Sequence, residues 1–162
     1  MTAFAPETSE HEAVATVYLH PGQLYVTAET VLVSTILGSC VAVCLWDPVA
    51  AIGGMNHFLL PSGPSGNAND LRYGNRAMER LIAAMVAKGA APERLVAKVF
   101  GGACVIAGFS GARQAIGAKN VAVAREALAH NGIAVRAEQT GGRRGRKLLF
   151  HTGHGAAYVK EI

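Results

Sequence analysis

Residues 30–60 read TVLVSTILGSCVAVCLWDPVAAIGGMNHFLL and carry the strongest indications of the fold. They contain three apolar segments, rich in β-branched residues, of the kind that forms strands: residues 30–37, 40–46 and 51–60. Asp47 and Pro48 stand between the last two segments, and proline is favoured in the second position of a tight turn. The stretch therefore predicts one strand followed by a β-hairpin.

The predicted hairpin brings a thiol and an imidazole to the same face of a sheet. If Pro48 and Val49 form its tip, antiparallel pairing places Cys40 directly opposite His57. Directly opposed Cβ atoms lie about 4.5 to 5.5 Å apart, which allows a hydrogen bond between sulfur and imidazole. An even shift of register keeps the two side chains on one face, whereas an odd shift separates them. The hairpin therefore makes Cys40 and His57 candidates for a nucleophile and its base, although each residue alone is more often an inert core residue.

Gly38 and Ser39 come immediately before the candidate nucleophile. Glycine lets the backbone turn tightly and approach a substrate carbonyl closely. Backbone N–H groups at this point could then stabilise the oxyanion that forms when a thiolate attacks a carbonyl. We therefore expect Gly38 and Ser39 to contact the substrate.

The rest of the chain predicts a mixed domain of strands and helices. Further strands are expected at residues 14–19, 23–27, 95–100, 133–138, 147–152 and 156–160. One helix is expected from Asp70 to Gly89 and another at residues 120–131, with Asn120 as its cap. Because strands outnumber helices and come in clusters, the pattern favours an α+β fold, with layered sheets and helices on their outer faces.

Composition favours one globular domain. The chain has 162 residues, of which 51% are hydrophobic and 16% charged, so residues 14–162 can form a packed core. Residues 1–13 carry little apolar surface and predict a flexible N-terminal arm. The net charge of +4 is thinly spread, which does not indicate nucleic-acid binding.

Three observations bear on location and on metals. The three cysteines are an odd number without CxxC spacing, which argues against disulfides and a zinc site. The N-terminus lacks the pattern of a secretory signal, and polar residues or glycine interrupt every apolar stretch before about 18 residues. We therefore expect a cytoplasmic protein that does not insert into membranes.

Other candidate residues have ordinary explanations. Cys44 and Cys104 have apolar neighbours and fit inert core positions. His151 and His154 could suggest a metal pair, but no third ligand stands at a suitable spacing. The basic cluster around residues 143–147 is most simply a solvated turn, and docking of an acidic partner surface is the alternative.

Short motifs along the whole chain resemble those of one known family. They are LGSCVAV at 37–43, DP at 47–48, GGMNHFLLP at 53–61, RYG at 72–74, KVFGGA at 98–103, IG at 116–117, NV at 120–121, GG at 141–142 and GRK at 145–147. Together these motifs resemble the signature of CheD, the chemoreceptor glutamine deamidase family. The resemblance extends from about residue 14 to the C-terminus and implies that residues 14–162 form a single CheD-like catalytic domain.

The resemblance implies a Cys-His-Thr triad on a fold similar to that of cytotoxic necrotizing factor toxins. Cys40 and His57 match the first two members. The family's threonine, six positions before the cysteine, corresponds to Ser34, with Thr35 beside it as the alternative. The motif that holds Gly101 and Gly102 implies that this glycine pair lies beside the active site, where we expect it to contribute to substrate binding.

The chemistry implied by the resemblance is hydrolysis of receptor glutamines through a thioester on Cys40, without metal or cofactor. A methylesterase activity is also implied, since a glutamate methyl ester would give the same thioester. The implied partners are chemoreceptors as substrates and a CheC-type phosphatase. Two alternatives stay open: an adaptor without catalysis that binds receptors or a phosphatase, and a thiol acyl-transfer enzyme with an unrelated substrate.

Overall fold

The structure is a computed structural model that describes residues 14–64, 66–104 and 112–162. Its strands are β1 Ala15–Tyr18, β2 Leu24–Thr27, β3 Val31–Leu37, β4 Val41–Asp47, β5 Ile52–Asn56, β6 Val96–Gly101, β7 Ala134–Thr140, β8 Arg146–His151 and β9 Ala157–Glu161. Its α-helices are α1 Gly74–Lys88 and α2 Ala112–His130, and a short 3-10 helix spans Pro92–Arg94. The predicted arm at residues 1–13 lies outside the described residues.

The strands form two sheets that pack face to face. The four-stranded sheet has the order β1-β3-β8-β9, and the five-stranded sheet has the order β2-β5-β4-β6-β7. Both α-helices pack on the outer face of the five-stranded sheet, α1 against β2, β5 and β4, and α2 against β4, β6 and β7. The predicted α+β class with layered sheets is confirmed, but the helices cover only one of the two outer faces. On the four-stranded sheet, Tyr18, Ile36 and Tyr158 are exposed.

Strand β4 is buried on both faces, which explains its nearly continuous apolar sequence. Val41, Val43 and Leu45 belong to the core between the five-stranded sheet and the helices. Ala42 and Cys44 belong to the core between the two sheets. Cys44 is therefore a core residue, as predicted, and the even-numbered side chains of β4 face the inter-sheet space.

The β4–β5 hairpin is wider than predicted. Asp47 pairs with Ile52, which leaves residues 48–51 as a four-residue turn instead of a two-residue tip. The reason is Asp47, whose Oδ1 accepts hydrogen bonds from the backbone N–H groups of Val49 at 2.9 Å and Ala50 at 3.1 Å.

The wider turn shifts the register by two residues, so that Val41 pairs with Phe58 and Cys40 is not directly opposite His57. Because the shift is even, the two candidate side chains stay on the same face.

Two helix starts also differ from the prediction. Asp70 does not cap α1; it pairs with Arg72, and Tyr73 precedes the first helical residue without a side-chain cap. Asn120 lies inside α2 instead of at its start. Its side chain bonds to distant backbone groups, so the tertiary structure uses a residue that local propensity assigns to a cap.

Candidate active site

The loop at residues 38–40 connects the end of β3 in the four-stranded sheet to the start of β4 in the five-stranded sheet. Cys40 therefore lies where the chain crosses between the layers, and its half-buried side chain packs against the inter-sheet core. His57 follows the end of β5, and only 1% of its surface is exposed. The turn before β2 holds the His57 backbone, because its N–H donates to the Gln23 carbonyl at 3.2 Å and its carbonyl accepts from the Gly22 N–H at 2.8 Å.

Thr35 sets the orientation and the tautomer of the His57 ring. The Thr35 hydroxyl donates its hydrogen to the Leu19 carbonyl at 2.7 Å, and its oxygen lies 2.8 Å from His57 Nδ1. Because that hydrogen is already committed, the Thr35 oxygen accepts a hydrogen bond from Nδ1–H. The Nε2 atom then carries the lone pair. Within the described residues Nε2 is buried without a hydrogen-bond partner, so it is the atom that can take a proton.

The structure brings Thr35, and not Ser34, to the imidazole. In β3 the side chains of Val33, Thr35 and Leu37 are fully buried toward the inter-sheet space. Ser34 shares the opposite face of the strand with Ile36, which is 48% exposed. Since successive side chains of a strand point to opposite faces, a one-residue difference in position decides which hydroxyl reaches His57. Ser34 therefore does not contact His57, and of the two predicted candidates Thr35 is the one whose hydroxyl reaches the imidazole.

Burial favours the neutral forms of Cys40 and His57. Desolvation raises the pKa of the Cys40 thiol, and its own backbone N–H opposes the shift. Desolvation lowers the pKa of His57 to about 4; the Leu19 carbonyl opposes this shift and the nearby His20 adds to it. At neutral pH the pair is therefore a thiol and a neutral imidazole. The thiol proton must therefore move to the imidazole when the sulfur attacks.

Gly101 and Gly102 hold the backbone of residues 38–40, which we call the nucleophile loop after the candidate nucleophile Cys40. The Gly102 N–H donates to the Cys40 carbonyl at 2.9 Å, and the Ala103 N–H donates to the Gly38 carbonyl at 2.9 Å. Gly101 has a φ of 109°, and a Cβ at this position would overlap the Cys40 carbonyl oxygen. The predicted location beside Cys40 agrees with the structure. The Gly102 N–H is occupied, however, so it does not serve as an oxyanion donor.

Asn120 is a site residue that sequence reasoning took for a helix cap. Its side chain is fully buried, and Nδ2 donates to the Ser39 carbonyl at 3.0 Å and to the Leu59 carbonyl at 2.9 Å. One side chain of α2 thus links the loop that carries Cys40 to the segment that follows His57. The sequence offered one indication of this role, an asparagine in a helical segment that packs on the core. A buried side-chain amide needs hydrogen-bond partners, which must then come from other parts of the chain.

Three successive carbonyls of the nucleophile loop, those of Gly38, Ser39 and Cys40, are anchored to Ala103, Asn120 and Gly102. In a planar trans peptide the N–H points opposite to the carbonyl. The Ser39 and Cys40 N–H groups therefore point away from these anchors, and in the described part of the chain they donate to no other backbone group. They form a candidate oxyanion hole beside the thiol.

Two other predicted clusters take on structural roles. Arg146 is only 4% exposed and donates to the Gly101 carbonyl at 3.1 Å and to the Gly141 carbonyl, so the basic cluster is not wholly a solvated turn. The rings of His151 and His154 stack at 3.5 Å, and each Nδ1 accepts a backbone N–H. No group of three or more potential metal ligands occurs in the described ranges.

Comparisons with known proteins bear on the family of this chain. The profile of a family described as CheD chemotactic sensory transduction matches residues 59–161. The chain is 50% identical over 158 residues to "Probable chemoreceptor glutamine deamidase CheD 1" of Anaeromyxobacter dehalogenans, covering 98% of this chain and 91% of that protein. It is 51% identical over 130 residues to "Probable chemoreceptor glutamine deamidase CheD" of Sinorhizobium medicae, covering 78% of this chain and 69% of that protein.

One solved structure has a similar fold. The crystal structure of a Neisseria meningitidis protein of the DUF152 family is 15% identical, with a TM-score of 0.50 over 82% of this chain and 66% of that chain. This likeness concerns the fold alone. Neither helix in the described residues is long and apolar enough to cross a bilayer.

Proposed function

Because the chain belongs to the CheD family, we propose that it hydrolyses glutamine side chains of chemoreceptors to glutamate, with Cys40 as nucleophile and His57 as base. The observation that carries this assignment is the chain of hydrogen bonds from Leu19 through Thr35 to His57. It leaves Nε2 as a proton acceptor on the face of the sheet that Cys40 shares.

The reaction begins when His57 Nε2 takes the thiol proton as Cys40 Sγ attacks the carboxamide carbon. A carbon–sulfur bond forms, and the carbonyl oxygen becomes an oxyanion that the Ser39 and Cys40 N–H groups stabilise. The imidazolium then returns its proton to the leaving nitrogen, the carbon–nitrogen bond breaks, and ammonia departs. A thioester between Cys40 and the glutamyl side chain remains.

Hydrolysis of the thioester completes the cycle. Neutral His57 removes a proton from water as the water oxygen attacks the thioester carbon. The carbon–sulfur bond breaks, the sulfur recovers a proton from the imidazolium, and glutamate is released. A receptor glutamate methyl ester would enter the same cycle with methanol as leaving group, so the proposal includes methylesterase activity.

The proposal also covers location and partners. Receptor glutamines on the cytoplasmic side are the substrates, so the reaction is placed in the cytoplasm. A CheC-type phosphatase is the second proposed partner. The family membership supports both, and binding of purified CheC-type protein by this chain is the direct test of the second.

The function is tested by incubating the purified chain with the cytoplasmic fragment of a receptor and measuring glutamine-to-glutamate conversion by mass spectrometry. Iodoacetamide treatment should abolish conversion, because the Cys40 thiol is partly exposed to the reagent whereas the Cys44 thiol is buried. Cys104 is also partly exposed, so a Cys104→Ala background restricts the alkylation to Cys40. If the chain bound receptor but converted no glutamine, it would be an adaptor and the enzymatic proposal would be wrong.

The pH profile is expected to reflect the lowered pKa of His57. Its pKa of about 4 means that the free base predominates above that pH, so kcat/KM should stay flat between about pH 6 and 8. It should fall on acidification with a midpoint near 4. A midpoint near the ordinary imidazole value of 6.5 in folded protein would contradict the buried neutral base.

Circular dichroism at each pH separates loss of the base from unfolding. The pKa of His57 is lower in the folded than in the unfolded chain, so the unfolded chain binds a proton first as pH falls. The free energy of unfolding should therefore decrease between about pH 6.5 and 4, and it should be unaffected by this group above that window.

Asn120→Asp is expected to lower kcat by about tenfold or more with little change in KM. A carboxylate has the shape of the amide but cannot donate to the Ser39 and Leu59 carbonyls, so the nucleophile loop loses its link to the His57 segment. Asn131→Asp, one residue beyond the exposed end of α2, is the matched control. Equal loss of kcat in both variants, or a change confined to thermal stability, would contradict a positioning role for Asn120.

A further inference from the structure

A pocket apart from the candidate active site lies in the inter-sheet space, beside the β4–β5 turn and the turn that joins β8 to β9. Its volume is about 330 Å³, which is at the lower end of the range for small-molecule sites. Cys44 and Trp46 line it from the five-stranded sheet, and Phe150 lines it from the four-stranded sheet. Its walls are therefore largely apolar.

The pocket is shaped around the indole of Trp46. Gly155 is buried with a φ of 76°, and a Cβ there would overlap the Trp46 ring. Glycine thus lets the turn between β8 and β9 lie directly on the indole. The Trp46 Nε1 atom is buried and has no hydrogen-bond partner in the described residues.

Three basic side chains line the same pocket: those of Lys98, Arg136 and His154. No carboxylate is among the lining residues, and neither Lys98 nor Arg136 takes part in an ion pair in the described part of the chain. Cations that line an apolar pocket without a protein counter-charge favour an anionic ligand.

The position of Arg136 depends on a β-bulge. Across the parallel β6–β7 pair, Ala97 is opposite Val135 and Lys98 is opposite Ala137, so Arg136 is an extra residue in β7. A bulge in a parallel pair is rare, and bulges commonly redirect a side chain next to a binding site. Here the redirected side chain lines the pocket beside Lys98.

We propose that this pocket binds a small organic anion with one carboxylate and a flat apolar body, the body against Trp46 and Phe150 and the carboxylate near Lys98 and Arg136. The site is separate from the catalytic pair. Trp46 stands six residues beyond Cys40 on the same extended segment, which places it about 20 Å away. The proposal does not depend on the deamidase activity.

The chain contains one tryptophan, so its fluorescence reports on this pocket alone. The probe is phenylacetate, which does not absorb at the red edge of the tryptophan absorption band, where the protein is excited. Its binding should shift the wavelength of the Trp46 emission, and the shift should saturate as the phenylacetate concentration rises. Phenylacetamide lacks the charge and acetate lacks the apolar body, so each should bind about tenfold more weakly or worse. The Cys40→Ala variant should bind phenylacetate as the wild type does.

The charge requirement is tested with Arg136→Gln and Lys98→Gln, each of which should weaken phenylacetate binding by about tenfold. Arg144→Gln removes an exposed arginine outside the pocket and should leave the affinity unchanged. The proposal would be overturned by the absence of a saturable shift, by equal binding of phenylacetamide or acetate, or by equal weakening in all three variants.

Discussion

Cys40→Ala is expected to abolish glutamine conversion, with kcat/KM reduced by about four to six orders of magnitude. Without the sulfur no thioester can form, and the neutral His57 base has no nucleophile to activate. The Ser39 and Cys40 N–H groups remain in place, so only the weak stabilisation of a directly attacking water would persist. Mass spectrometry of a receptor fragment over long incubation measures this loss.

Cys44→Ala is the matched control for this prediction. Cys44 lies on β4, four residues beyond Cys40 and on the same face, but it is buried in the inter-sheet core. Burial raises the pKa of its thiol well above the ordinary range, so it is an unreactive core residue. The variant should retain activity and lose stability by roughly 1 kcal/mol through the small cavity. Wild-type conversion by Cys40→Ala would disprove the thioester mechanism.

For the hairpin, the sequence correctly predicted which side chains share a face of the sheet. It did not correctly predict which residues are directly opposite each other. The alternation of side chains along β4 and β5 is a local property, so Cys40 and His57 could be assigned to one face. The register depends on the turn, and there the carboxylate of Asp47 stabilises four turn residues instead of two. Pro48 predicted that a turn occurs here, but it did not predict that the Asp47 carboxylate would lengthen that turn.

Residues that act across layers were the hardest to predict. Asn120 contacts backbone 81 and 61 positions away, and no local pattern carries such a separation. Arg146 was part of an apparent surface cluster, yet it is buried against the Gly101 carbonyl. The positions of both side chains depend on how α2 and the four-stranded sheet pack around the nucleophile loop. This packing is a property of the tertiary structure, and no local sequence pattern predicts it.

Thr35→Val is expected to lower kcat/KM by about 100-fold, while Ser34→Ala leaves it nearly unchanged. Valine keeps the shape of threonine but offers no oxygen to His57 Nδ1–H, so the ring loses the bond that fixes its tautomer and orientation. Ser34 lies on the opposite face of β3 and has no part in that bond. The two variants thus test adjacent hydroxyls in one strand with the same assay.

Thr35→Ser separates the hydroxyl from the methyl group of threonine. If the hydrogen bonds to Leu19 and His57 matter, this variant should recover most of the activity that Thr35→Val loses. If packing alone mattered, serine would be no better than valine, because it leaves a methyl-sized void in a fully buried position. The reverse pattern, with Ser34→Ala inactive and Thr35→Val active, would return the third catalytic position to Ser34 and show that β3 presents its other face to the imidazole.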